Sequence, residues 1–400
     1  MQKHRILFSF FLIFSFIVRH AAGECVSSQK FGYMIDFPEG AQIEDMTEDE
    51  SIVLMSHKYF KLKTLLRVWP ADKYVTSSDA LKDSMKKLGA ECETTDCIWH
   101  RQNCTIAMFT GAIEGTQSSG WAEVIPLPEK KGWLLACVYA SSDVAENIES
   151  AMISILDSVM PDWSSMHESG IITSTFYPSS GPEAITLKIG NRKISSVLDK
   201  SDSEANQFVI DREWNIFKIY AQHLDINKAA EATVLISAWQ RFYRLTAKDS
   251  MARLSKVSDD IYMDFMSELT STQSDNELKV AQELLTWTQG FEYKRNDRQT
   301  DKADFTNLID VLKGTGNDCD SRSMLLAVLL KNMGMDTCFF ISPQYGHAMF
   351  GIHLDGKAGQ TIKIDSTEYL VGETTAKDVT IGMMSADMTD RKFWYPVEFY

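Results

Sequence analysis

A cysteine, a histidine and two acids stand at spacings from which a nucleophilic site can be built. Cys319 lies in GTGNDCDSRSMLLAVLLKNMG, residues 314–334, where it opens an apolar helix behind a glycine-containing turn. A thiol in a first helical turn sits near unpaired backbone N–H groups and the positive end of the helix dipole, and both favour the thiolate. Asp318 and Asp320 act in the opposite direction, so the helix end alone does not activate the sulfur and a basic partner is required. His347, in FFISPQYGHAMFGIHL, can be that partner, because a strand over 337–342 and a Pro-Gln-Tyr-Gly turn bring it to the start of the next strand. His353 shares its strand parity and ranks below it. Two acids follow, Asp365 in IDST and Glu373 in ETT, both of the form acid-x-Thr. Thiol, base and orienting acid are the parts of an acyl-transfer site.

Strand register decides between the acids. If the chain reverses tightly at Asp355-Gly356, residues 360–364 pair with the histidine strand and Asp365 lies opposite His347. If instead 360–368 forms a side hairpin turning at Asp365-Ser366, residues 369–375 become the neighbour and Glu373 reaches His347. Asp and Ser are common where chains reverse, so the second arrangement, and Glu373, is favoured.

The elements that hold these residues are legible nearby. Asp318 is a good N-cap and Gly334 a C-terminal stop, which predicts a helix over 319–333 buried on most sides. A further helix is expected over 277–290, behind a polar linker STQSDN at 271–276. Here the chain resembles the transglutaminase-like superfamily, a circularly rearranged relative of the papain fold, over roughly 276–400. The resemblance rests on GNDCDSRSMLLAVLLKNMG, on GHAMFGI and on YLVGETT. It implies a triad of Cys319 as nucleophile, His347 as base and Glu373 or Asp365 as orienting acid. Met349 stands where the family often has an aromatic residue. The implied activity is a peptidase or amidase; a protein-crosslinking transglutaminase and a catalytically silent binding or scaffold module are the alternatives. Cys338, in an apolar strand, reads as inert core, although a Cys319–Cys338 disulfide is conceivable in an oxidising compartment.

The remainder of the chain divides into two further regions, which makes the expected class α+β, a transglutaminase-like (papain-related) domain behind antiparallel-sheet domains. Over 24–162, LKTLLRVWP, CTIAMFTGAIEG, GWAEVIPLP and KGWLLACVYAS read as strands, with helices over 78–88 and 144–160. This region resembles the PsbP-like fold. Over 165–272, ITLKIGNRKISSVLD and then NQFVIDREWNIFKIY read as strands before a long helix. That helix carries Leu235, Trp239, Phe242 and Tyr243 at helical spacing, a stripe that suits a core better than a ligand box. Asp211-Arg212-Glu213 reads as a turn or a solvated ion pair.

Composition narrows the setting. Lys3 to Arg5 and the apolar run 6–18, with Ala21 and Gly23 before Glu24, form a secretory leader over 1–23. Lipidation at Cys25 ranks second, because Glu24 precedes it. A secreted, periplasmic protein acting on protein or peptide material of the cell envelope is therefore expected. The net charge of −15 argues against nucleic acid, whose phosphates need a basic face. No apolar run is long enough to span a bilayer. No CxxC, HExxH, P-loop or dinucleotide fingerprint appears, so neither metal nor cofactor is expected. The seven cysteines are an odd number, which leaves at least one thiol unpaired within the chain.

Overall fold

A computed structural model describes residues 24–294, 302–314 and 318–400. The leader reading, at 1–23, lies outside the described residues, as does most of the charged loop 294–304. The architecture is α+β with antiparallel sheets. Among the described residues no helix is long and apolar enough to cross a membrane.

Seven antiparallel strands make the N-terminal sheet, in the spatial order 41–46, 52–57, 63–69, 132–141, 116–127, 102–113, 90–99. Side chains alternate across a strand, and the strand 132–141 shows the consequence. Leu135, Cys137 and Tyr139 face the helix Ser77–Leu88 through Leu81 and Met85, while Leu134, Ala136 and Val138 face the helix Glu149–Asp157. The first of these helices is capped by the Thr76 side chain and stopped by left-handed Gly89. The expected helix 144–160 is broken into short turns before 149–157, with Ile148, Met152, Ile155 and Val159 buried as its periodicity predicts.

The middle region departs from the sequence reading. Its first strands do form a hairpin, Pro182–Ile189 with Arg192–Asp199. Residues 206–220, expected as a strand, are instead helical within Asp202–His223. The dense branched and aromatic residues suggested a strand, but Ala205, Val209, Ile216 and Tyr220 recur at helical intervals and are buried. Asp211-Arg212-Glu213 is neither turn nor solvated pair, since Arg212 and Glu213 are fully buried in that helix.

Their partners form a polar core. Arg212 donates to Glu213 at 2.9 Å and also pairs with Asp157. Arg241 links Glu213 at 2.9 Å to Asp36 at 3.0 Å, and Arg244 reaches the other oxygen of Asp36 at 2.6 Å. Tyr400, the last residue, donates to Asp36 as well. Arg241 and Arg244 lie on the helix Ala229–Phe265, whose 37 residues run through two apolar cores. Leu235 and Ala238 pack with the N-terminal sheet, and Phe242 to Phe265 pack with the C-terminal region.

The C-terminal region opens with the helix Gln273–Gln289, so the expected linker 271–276 is mostly its first turn, with Thr272 as N-cap. The cysteine helix, Cys319–Asn332, packs on a five-stranded antiparallel sheet ordered 361–364, 367–372, 347–352, 337–342, 395–397. Strand 337–342 has the bounds expected from sequence, and His347 opens the strand 347–352 as expected.

His57 gives the fold a pH dependence. Its Nε2 meets the Pro38 carbonyl at 3.1 Å while Nδ1 accepts from the backbone N–H groups of Tyr59 and Phe60. The ring is thus used as the neutral Nε2-H tautomer, and burial pushes its pKa down to about 4. The unfolded chain takes up the proton near pH 6.5 and the folded one does not, so stability falls as pH drops from 6.5 toward 4. The expected loss is up to about 3 kcal/mol. Urea midpoints from pH 7 to 4.5 should fall more steeply in the wild type than in His57→Gln, and equal slopes would rule out His57 as the source.

Candidate active site

Cys319 stands where the sequence puts it, as the first residue of a helix capped by the Asp318 side chain through the Ser321 N–H. It is buried, and its sulfur donates to Asp320 Oδ1 at 3.1 Å. Asp320 is held from its other oxygen by the Tyr243 hydroxyl. Burial, then the charges of Asp320 and Asp318, push the thiol pKa far up, while an Ala348 N–H bond to the sulfur acts in the opposite direction. The thiol is therefore protonated at rest. The carboxyls are affected too: burial and the neighbouring Asp320 push Asp318 up to about 7, and burial raises Asp320.

His347 is bonded through Nε2 to Glu373 Oε2 at 2.6 Å. Glu373 in turn accepts the Thr375 N–H at 2.7 Å and the Thr375 hydroxyl at 2.6 Å on its other oxygen. Burial works to raise the Glu373 carboxyl, but the bonds from His347 and Thr375 outweigh it and hold the group below its usual range. The second register is the observed one. Strand 361–364 pairs with 367–372 around a turn at Asp365-Ser366, and 367–372 pairs with the histidine strand. Asp365 adopts a left-handed φ of 50° in that turn and is exposed, so it is not brought to His347.

The residues that fix Glu373 carry no motif. Gln289 donates to its carbonyl at 2.8 Å. Arg322, one turn into the cysteine helix, donates to Phe291 O at 2.8 Å and to Thr374 O at 3.4 Å. Ser323 bonds the Thr374 hydroxyl at 2.9 Å. Just before the acid, a Cβ on Gly372 would fall 1.8 Å from the Phe350 ring, so only glycine lets this strand approach. The only sequence signal for these roles was the charge of Arg322 on a helix buried on most sides; Gln289, on a largely polar helix, gave none.

His353 lies away from the site, bonded to the Glu368 carbonyl at 2.9 Å. Cys338 is a buried free thiol in a cluster with Phe340 and Met349, whereas Cys319, also free, packs in the larger core with the helices. Among the described residues, no three His, Cys, Asp or Glu side chains are grouped as a metal ion would need.

No family model matches the chain, and no curated protein matches it. Among solved structures, cyanobacterial PsbP from Synechocystis sp. PCC 6803 is similar at 16% identity and a TM-score of 0.29, over 35% of this chain and 92% of that one. A crystal structure from Bacteroides thetaiotaomicron VPI-5482 is similar at 9% identity and a TM-score of 0.19, over 58% of this chain and 78% of that one. Likenesses this distant carry no argument about fold or chemistry.

Proposed function

We propose that the C-terminal region is a transglutaminase-like, papain-related cysteine enzyme that cleaves amide bonds, a peptidase or amidase of the cell envelope working after secretion to the periplasm. The observation that carries this reading is the 2.6 Å His347–Glu373 bond, made on the strand to which the cysteine helix is tied by the Ser323 hydroxyl donating to Ala348 O at 3.3 Å. Glu373 occupies Nε2, which leaves Nδ1 as the nitrogen for the thiol proton. In the first half-reaction His347 takes that proton as the sulfur attacks the carbonyl carbon. It then returns the proton to the leaving amine, and a thioester remains. Water, activated by the same imidazole, adds to the thioester and releases the acid and the thiol. The Cys319 N–H at the helix start is one donor for the oxyanion.

The silent-module reading draws on one observation, the Cys319–Asp320 bond that keeps the thiol protonated. Iodoacetamide at neutral pH separates the two. The enzyme reading expects alkylation of Cys319 well ahead of the buried Cys137 and Cys338, and a Cys319 as inert as those two would support the silent module.

Glu373 and Asp365 are distinguished by conservative changes. Glu373→Gln removes the charge that stabilises the imidazolium and is expected to lower turnover by roughly 10²- to 10⁴-fold. Asp365→Asn changes an exposed turn and should stay within about twofold of wild type. Equal losses in a peptide-hydrolysis assay would dismiss the assignment of Glu373.

A further inference from the structure

The aromatic stripe of the long helix is not wholly core. It ends in a cleft of about 190 Å³ beside the candidate triad, lined by Trp214, Trp239, Phe242, Phe305 and Ile341. Its polar lining includes Asp304, Asp318, Asp320, His347 and Tyr243, whose hydroxyl bonds Asp320. We infer that this cleft is the subsite for one basic side chain, lysine or arginine, of the peptide substrate; the inference rests on the enzyme reading above.

Size is the first argument. Sites for drug-sized molecules occupy roughly 300–1,000 Å³, so a cleft of about 190 Å³ suits a single side chain. Position is the second. Asp318 and Asp320 flank Cys319, and His347 forms part of the wall, so a side chain bound here belongs to a residue next to the reacting carbonyl.

Composition then selects the class. Trp214 and Trp239 are half-buried, with Trp239 6.0 Å from Tyr243 and Trp214 6.2 Å from Phe242, centroid to centroid. Such walls accept the apolar stem of lysine or arginine and attract its head by cation–π interaction. Three carboxylates line the cleft, and no Lys or Arg is among the described residues lining it. An acidic side chain would face like charge. An apolar one would strip water from the carboxylates without replacing it. Burial first, and neighbouring acid charges after it, raise the Asp318 and Asp320 carboxyls, and a bound cation offsets both effects. The middle region thus has a part at the site, since Trp214 follows directly on the anchored pair Arg212-Glu213.

The test uses the full chain and three peptidyl chloromethyl ketones that differ only in the residue next to the ketone: arginine, leucine or glutamate. Iodoacetamide serves as the reporter of thiol reactivity. Cys319 is expected to be alkylated by the arginine reagent roughly 10- to 100-fold faster than by the leucine reagent, with glutamate slowest. Asp304→Asn should lower the arginine-to-leucine ratio several-fold. If iodoacetamide modifies Cys319 while the three ketones react alike, or leucine reacts fastest, the subsite is overturned and the enzyme reading stands. If Cys319 resists iodoacetamide and every ketone, both readings fall.

Discussion

Alanine at Cys319 or at His347 is expected to reduce amide hydrolysis by roughly 10³-fold or more, with the double variant little worse than either single one. The non-additivity follows from the mechanism, because sulfur and imidazole act on one proton and neither is useful without the other. Cys319→Ala should leave the fold intact. Alanine is the best helix former, and the Asp318 cap bonds the Ser321 N–H, which the change does not touch. His347→Ala is less innocent, since it leaves Glu373 without its imidazole partner, so its thermal midpoint should be measured beside its rate. Cys338→Ala is the control. Its sulfur packs among Phe340 and Met349, and its loss should cost about 1 kcal/mol of stability with turnover retained. Turnover near wild type in Cys319→Ala would remove the proposed mechanism altogether.

The parts of this site that could be read from sequence are those set by local chemistry. The cysteine helix announces both its ends, Asp318 by its capping oxygen and Gly334 by its left-handed φ of 86°. The choice of Glu373 over Asp365 followed from turn propensity at Asp365-Ser366, and the observed register depends on that turn. What could not be read depends on partners distant in the chain. Arg322 and Gln289 look like ordinary polar residues until the 373–374 peptides arrive beside them. The helix 202–223 was hidden by its branched and aromatic residues, and the burial of its charged pair by distant partners. Its polar residues at 212 and 213 suggested exposure, because the groups that satisfy them come from Asp157 and Arg241. Phe242 packs in the core as the stripe predicts, whereas Trp239 is only partly buried, because the cleft it borders is formed only when the cysteine helix and the histidine strand come against it.

Arg241→Met is expected to destabilise the whole protein by about 3–5 kcal/mol. Methionine replaces much of the arginine stem, so the loss is electrostatic rather than a cavity. Three guanidiniums, of Arg212, Arg241 and Arg244, face three carboxylates, of Asp36, Asp157 and Glu213, all buried. Removing one cation leaves Glu213 with Arg212 alone and Asp36 with Arg244 and Tyr400, so two cations face three carboxylates in a medium where an uncompensated charge is costly. The Asp36 carbonyl and the Ser154 hydroxyl also lose the donors that reach them at 2.7 and 2.9 Å. Because the network joins the strand at Asp36, two helices of the middle region and the C-terminal Tyr400, the effect should appear as one cooperative transition at lower urea, not as early melting of the N-terminal sheet alone. A cycle with Glu213→Gln makes the argument sharper. Glu213→Gln alone leaves excess positive charge and should also destabilise, but in the double variant the surviving charges balance again. The double loss should fall short of the sum of the singles by about 1–3 kcal/mol. Strictly additive losses, or an Arg241→Met chain within about 1 kcal/mol of wild type, would mean that shape rather than charge pairing fastens the long helix to both cores.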